Sequence, residues 1–122
     1  MLLTNYEIYT YAEGLRDAFE DKNQYLPIKL SFFIQKNKET LFKLAQDIEK
    51  SRMDIIQNYG TIDEKTNQVF VPNENISAVN KELVDLFDIT QEVDIKTISI
   101  DSFSEDLSLT NGQMQAIVFM ID

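Results

Sequence analysis

Four carboxylates in the last third of the chain, Asp94, Asp101, Glu105 and Asp106, are the side chains best placed to do chemistry. Asp and Glu suffice for glycoside hydrolysis, or for holding Mg²⁺ in a nuclease, without any histidine. Both reactions also need companions. A glycosidase needs aromatic-lined sugar subsites and a larger scaffold, and a metal nuclease needs bases beside its carboxylates to hold phosphate. Only Lys96 lies within reach in sequence. The four acids therefore read as a strand edge and a solvated turn, and no catalytic residue is assigned.

The remaining constellations fail for want of residues. The sequence has no histidine, cysteine or tryptophan, which excludes a Ser–His–Asp triad, a Cys–His pair, a His/Cys zinc site and any disulfide. A phosphate-cradling loop needs closely spaced glycines, and Gly14, Gly60 and Gly112 stand apart. Asp63-Glu64-Lys65-Thr66-Asn67 puts a lysine where an EF-hand loop needs an oxygen ligand, and lacks its glycine. No metal and no cofactor are expected, and the protein is expected not to be an enzyme.

Binding is the alternative. Tyr6, Tyr9, Tyr11, Tyr25, Phe32 and Phe33 concentrate aromatic area in the first third. Core packing is expected for Tyr11, Phe32 and Phe33, whereas Tyr9 falls off the apolar stripe and is the candidate for an exposed contact. Net charge is −10, unevenly spread. Residues 27–60 carry six bases against four acids, and residues 80–122 carry nine acids against Lys81 and Lys96. Such an acidic surface repels phosphate backbones, so no direct nucleic-acid binding is expected; it suits solubility or a basic partner. The partner-binding candidates are Tyr9, Asn37, Asp101, Glu105 and Asp106.

The elements that must position these residues follow from periodicity. Thr4-Asn5-Tyr6-Glu7 matches a capping box, predicting a helix from about Asn5 to Phe19 with Ile8, Tyr11, Ala12, Leu15 and Phe19 on one face. Pro27 opens a longer helix, which Gly60 ends. Within it Ile34, Leu41, Ile48 and Ile55 recur every seven residues, with Leu30, Asn37, Leu44 and Ser51 at the companion positions. At ~1.5 Å per residue this helix is roughly 45–50 Å long, so the first helix must fold back on it or another copy or protein must cover it. Asn37 interrupts the apolar seam. Buried, it would set the register between helices; exposed, it would mark where the seam leaves the core.

Thr61 to Asn67 reads as a polar turn region and Gln68 to Val71 as a short strand ended by Pro72-Asn73. A third helix is predicted from about Asn75 to Phe87, with Ile76, Val79, Leu83, Leu86 and Phe87 as its stripe, broken by Asp88-Ile89-Thr90. Val93 and Ile95, then Ile98 and Ile100, alternate with polar residues in a strand pattern with a bulge near Thr97. Thr110-Asn111-Gly112-Gln113 is a second capping box, before a terminal helix burying Met114, Ile117, Val118 and Ile121. The expected fold is mainly α with a minor β element (α+β). It places an N-terminal helix on one long helix, with short strands and two further helices. Residues 1–122 are expected to form a single domain, with 1–60 a helical hairpin and 61–122 a small α+β part. Neither a secretory signal nor a membrane span is read from the sequence, whose longest apolar run is Ala116 to Ile121.

In this order of elements the chain resembles a small family of unknown function encoded by phages and prophages of Gram-positive bacteria. The resemblance is carried by Asn5-Tyr6-Glu7-Ile8, Leu26-Pro27-Ile28-Lys29-Leu30 and Gln35-Lys36-Asn37. It continues through Tyr59-Gly60, Val93-Asp94-Ile95-Lys96 and Phe119-Met120-Ile121-Asp122. It implies genes similar to late phage genes around tail and lysis modules, and supplies no catalytic residues. The expectation is a phage interaction protein, a minor virion component or head/tail assembly factor; the alternative is an acidic inhibitor of a host defence or regulatory protein. The partner would be a protein: a second copy in a homo-oligomer, a phage structural protein or a host protein. The expected location is the host bacterial cytoplasm or the virion, with no membrane association.

Overall fold

In a computed structural model describing residues 1–21, 24–103 and 107–122, the chain is mainly α with two small β elements. Strand β1 (Leu2–Thr4) runs directly into helix α1 (Asn5–Ala18), and helix α2 (Ile28–Tyr59) leads to a hairpin of β2 (Thr61–Ile62) and β3 (Val69–Phe70). Helix α3 (Asn73–Asp88), strand β4 (Thr90–Glu92), a 3₁₀ turn at Ile100–Ser102 and helix α4 (Asn111–Ile117) follow. A last 3₁₀ turn covers Val118–Met120.

Both capping boxes form. The Thr4 hydroxyl accepts from the Glu7 N–H at 3.0 Å while the Glu7 carboxylate accepts from the Thr4 N–H at 3.0 Å, so two otherwise unpartnered donors at the start of α1 are satisfied. Thr110 and Gln113 repeat the arrangement at α4, both bonds being 3.1 Å.

Helix α1 packs along α2, with the Tyr9 hydroxyl bonded to Glu49 and a shallow pocket between the helices lined by Ala12, Arg16, Phe42 and Ala45. The heptad seam is satisfied within the chain. Leu30, Ile34, Leu41 and Ile48 are buried, while Ile55 and Leu44 are half-buried and Ser51 is exposed. Leu30, Ile34, Leu41 and Ile48 share one apolar cluster with Leu3, Ile8, Ala12 and Leu15 from the N-terminal part and Val93, Ile98, Ile117 and Met120 from the C-terminal part. Helix α3 packs on α2 as well as on α1, and β1 pairs antiparallel with β4 in the register Leu2–Glu92, Leu3–Gln91 and Thr4–Thr90.

Several sequence expectations are corrected. The polar turn predicted at Thr61 to Asn67 contains β2, which pairs Thr61 with Phe70 and Ile62 with Val69. The Asp63 carboxylate folds back to accept from the Lys65 N–H at 2.9 Å, and Asn67 takes a left-handed φ of 58°, so a side chain supplies the turn. Helix α3 starts two residues early, with Pro72 at its N-cap, and the residues expected to break it lead into β4.

The predicted strand over Val93 to Ile100 is not a strand. Val93 and Ile98 are buried as the alternation implies, but the backbone bonds go to three different partners. The Val93 N–H donates to the Met1 carbonyl at 2.8 Å, the Lys96 peptide pairs with the Asn37 side chain, and the Ile98 N–H donates to the Met120 carbonyl at 2.9 Å. In the terminal helix Val118 is exposed and Met120 takes the buried place expected for it. The tightening to 3₁₀ after Ile117 eclipses residues three apart, bringing Met120 over Ile117. Phe32, expected in the core, is exposed. It stands two helical positions, or about 200° of rotation, from buried Leu30 and Ile34.

Candidate functional site

Two of the buried polar side chains set where the helices sit. Asn5 Nδ2 donates to the Leu86 carbonyl at 2.9 Å, the Asn5 N–H donates to the Ile89 carbonyl at 2.8 Å, and Gln91 Nε2 donates to Asn5 Oδ1 at 2.7 Å. One amide therefore ties the first turn of α1 to the last turn of α3 and to β4. At the other end of α1, Gln113 Nε2 donates to the Ala18 carbonyl at 3.0 Å and to Gln24 Oε1. This closes a helix C-terminus whose carbonyls lack helical donors.

Between the ends fixed by Asn5, α1 and α3 leave an open groove of about 640 Å³. Tyr6, Tyr9, Leu83, Val84 and Phe87 supply its apolar walls, and Thr10, Glu13 and Asp88 its polar margin. Tyr6 is 64% exposed and Val84 59% exposed, so the walls face solvent. Tyr9 meets Phe87 edge to face, with centroids 5.9 Å apart and planes at 82°, the geometry that places a positive ring edge against a negative ring face.

Tyr9 also spans to α2, its hydroxyl donating to Glu49 Oε2 at 3.0 Å. Arg52 grips the same carboxylate twice, Nε to Oε2 at 2.9 Å and Nη2 to Oε1 at 2.6 Å. The Arg52 hydrogen bonds hold Glu49 below the ordinary glutamate value, with the Tyr9 hydroxyl adding to the effect. The bond to Glu49, then burial, pushes the Tyr9 hydroxyl above its ordinary value. Both groups are thereby moved away from neutral pH, opposite to what proton transfer there requires. The cluster holds helices together. Among the described residues no three His, Cys, Asp or Glu side chains are grouped to share a metal ion.

The sequence candidates are scattered. Tyr9 lies in the groove, but half-buried and pinned at both ends instead of freely exposed. Asn37 is fully buried, and it clamps the Lys96 peptide instead of setting register against another helix. Asp101 is exposed in the 3₁₀ turn, its N–H bonded to Ser99 Oγ, and Asp94 is exposed in an ion pair with Lys96 at 3.1 Å. Glu105 and Asp106 lie outside the described residues. The structure does not bring Tyr9, Asn37 and Asp101 to one place. Sequence reasoning missed Val84, an aliphatic residue off the buried stripe of α3; Leu83 and Phe87, read as part of that stripe, line the groove as well, and Phe87 also packs on the core. An apolar residue on the outward face of an amphipathic helix is the signal that marks Val84.

No protein-family model matches the chain, and no curated protein or solved structure matches it.

Proposed function

We propose that the chain is a non-enzymatic interaction protein of phages and prophages, a minor virion component or a head/tail assembly factor. The groove between α1 and α3 carries this proposal. It is apolar, solvent-facing, rimmed by Glu13 and Asp88, and framed by elements that Asn5 and Tyr9 lock in place. Preformed aromatic walls bind a protein segment with little ordering of their own, and clusters of this kind carry most of the energy in protein interfaces. The family resemblance supplies the phage setting.

The alternative, an acidic inhibitor of a host defence or regulatory protein, is favoured by one observation. Glu82, Asp85, Asp88 and Glu92 are all exposed along α3 and β4, a surface suited to a basic cleft.

Purified particles from cells producing wild-type protein or Val84→Arg separate the two. A virion component appears in wild-type particles at fixed stoichiometry, and an assembly factor lowers particle yield when absent. Val84→Arg should reproduce the loss in either case. Normal yield of particles lacking the chain sinks the structural role. The inhibitor role then requires a basic host protein whose binding weakens steeply between 0.05 and 0.5 M salt, roughly as the screening length shrinks.

A further inference from the structure

The start of α2 presents the opposite chemistry to the groove. Ile28 is 83% exposed and Phe32 52% exposed, four residues apart on one helix face, and exposed Tyr25 precedes them. Lys36 Nζ lies 5.4 Å from the Phe32 ring centre and Lys29 Nζ 5.9 Å from that of Phe33. Residues 25–38 hold Lys29, Lys36 and Lys38 and no acid, whereas residues 82–92 hold Glu82, Asp85, Asp88 and Glu92 and no base. On a chain of net charge −10, an apolar ridge flanked by lysines thus coexists with an apolar groove flanked by acids.

We propose that the groove between α1 and α3 receives the Ile28–Phe32 ridge of a second copy of this chain. The inference rests on the groove being a protein-docking surface and names its occupant. Ile28 and Phe32 enter between Tyr6, Val84 and Phe87, and Lys29 and Lys36 come to the acidic margin at Glu13 and Asp88. Lys36 is held at home by an exposed contact to Glu39 at 3.8 Å, a pair weak enough to exchange, and its place over the Phe32 ring lets it travel with the ridge.

The same chain can use both surfaces at once. Tyr9 in the groove sits beside Glu49, and Ile28 to Phe32 lie some 19 positions back along α2, roughly 28 Å at ~1.5 Å per residue. The two patches are different, so one ridge-to-groove contact leaves a groove and a ridge free, and repeating it head-to-tail gives a ring if the rotation closes and a filament if it does not. Burying each ridge also removes the exposed apolar area that a monomer would leave in water.

Two variants test this in combination. Ile28→Glu/Phe32→Glu removes the ridge and keeps the groove; Val84→Arg blocks the groove and keeps the ridge. Both sets of positions are exposed, and circular dichroism melts matching wild type would show that the fold is retained. By light scattering coupled to gel filtration, wild type should form assemblies larger than a dimer as concentration rises, weakening at high salt. Each variant alone should be monomeric, and an equimolar mixture should give a heterodimer that stops at two copies. A ridge-on-ridge or groove-on-groove contact would leave one of the two variants self-associating, so the complementation identifies ridge-to-groove docking, and wild-type assemblies larger than a dimer identify it as head-to-tail. As a second readout, Lys29→Glu and Asp88→Lys should each weaken assembly at least tenfold and recover it when mixed. A wild type that stays monomeric at 200 μM, or a mixture that gives no heterodimer, overturns the inference. Either result leaves the virion measurement untouched, so failure of self-docking is distinguishable from failure of the structural role.

Discussion

Asn37 and Lys96, far apart in sequence, exchange both hydrogen bonds of a β-bridge, although Asn37 contributes only its side chain. Its Nδ2 donates to the Lys96 carbonyl at 2.9 Å and its Oδ1 accepts from the Lys96 N–H at 2.8 Å. A helix has no free main-chain groups at mid-length, so a side-chain amide is the way α2 can pair with the extended segment crossing it. Nδ2 also lies 3.4 Å from Met120 Sδ, bringing the C-terminal turn to the same point.

Replacing Asn37 by alanine should lower stability by about 1–3 kcal/mol, since a part-buried peptide would lose both partners and a fully buried side chain its volume. Asn37→Asp should be worse at neutral pH, because a carboxylate can accept from the Lys96 N–H but cannot donate to its carbonyl. Burial would raise the new carboxyl group's pKa in the folded state. The folded state would then bind the proton more tightly than the unfolded one, so the defect should shrink as pH falls. Urea denaturation of both variants at pH 5 and pH 7.5 checks this. An Asn37→Asp variant equally impaired at the two values would contradict it.

The paired acids of α1 and α2 give the wild-type protein its own pH dependence. The Arg52 bonds lower Glu49, and the Thr4 backbone bond lowers Glu7, relative to an ordinary glutamate near 4.5. Their contribution is complete above that value and is lost on acidification, as the unfolded chain takes up protons first. Tyr9 and Tyr11 are raised, Tyr9 mainly by its bond to Glu49 and Tyr11 mainly by burial. Their contribution is complete below the ordinary tyrosine value near 10 and disappears as pH climbs through the folded-state values. Melting temperature should therefore fall on both sides, below about pH 4.5 and above about pH 10. Glu49→Gln should flatten the acid side and leave the part due to Glu7. An acid slope identical to that of wild type would show that Glu49 is not responsible.

What could be read from the residues divides along the range of the interactions. Thr4 with Glu7 and Thr110 with Gln113 act over three positions, so the starts of α1 and α4 are visible in the sequence. The seam of Leu30, Ile34, Leu41 and Ile48 is visible for the same reason, since one helix carries the whole period. Asn37 announces itself as a polar intruder, but its partner is a peptide 59 residues away, and no local pattern names a peptide. The segment around Lys96 shows strand alternation because its side chains do point alternately inward. It lacks strand pairing because its hydrogen bonds are shared among Met1, Asn37 and Met120. The groove is hidden for a similar reason. Tyr6 and Val84 look like ordinary exposed residues until α1 and α3 are laid side by side.

The capping threonines should be separable in effect. Thr4→Ala removes a cap on α1, where β1, Asn5 and Tyr9 also fasten the helix, and should cost about 1 kcal/mol. Thr110→Ala acts on a seven-residue helix that cannot hold itself. It also frees Gln113, which bonds Ala18 and Gln24, so its loss should reach about 2 kcal/mol. Hydrogen exchange would show the difference in place: the amides of α4 should lose protection in Thr110→Ala and keep it in Thr4→Ala. Equal protection in the two variants would mean that Gln113 stays anchored without the box.

Two glycines should respond to alanine with opposite sign. Gly14 lies within α1, and a methyl group there would stand 3.8 Å from Ala116 Cβ, an ordinary contact with α4. Gly14→Ala removes the entropy that glycine gives the unfolded chain, and should stabilise by about 0.5–1 kcal/mol. Gly60 follows α2 at the entry to the β2–β3 hairpin, where a methyl group would come 2.5 Å from Val69 Cγ1 and 2.7 Å from the Ile56 carbonyl oxygen. The Val69 methyl can swing aside; the carbonyl belongs to the last turns of α2 and cannot, so the hairpin must move off the helix. Gly60→Ala should therefore destabilise by about 1–3 kcal/mol. Adding Val69→Ala should recover only part of the loss, because the clash with Ile56 remains. Urea midpoints of the two single variants and the double one decide the point. Full recovery in the double variant would place the whole obstruction in the Val69 side chain, and an unchanged Gly60→Ala would show that the hairpin yields without penalty.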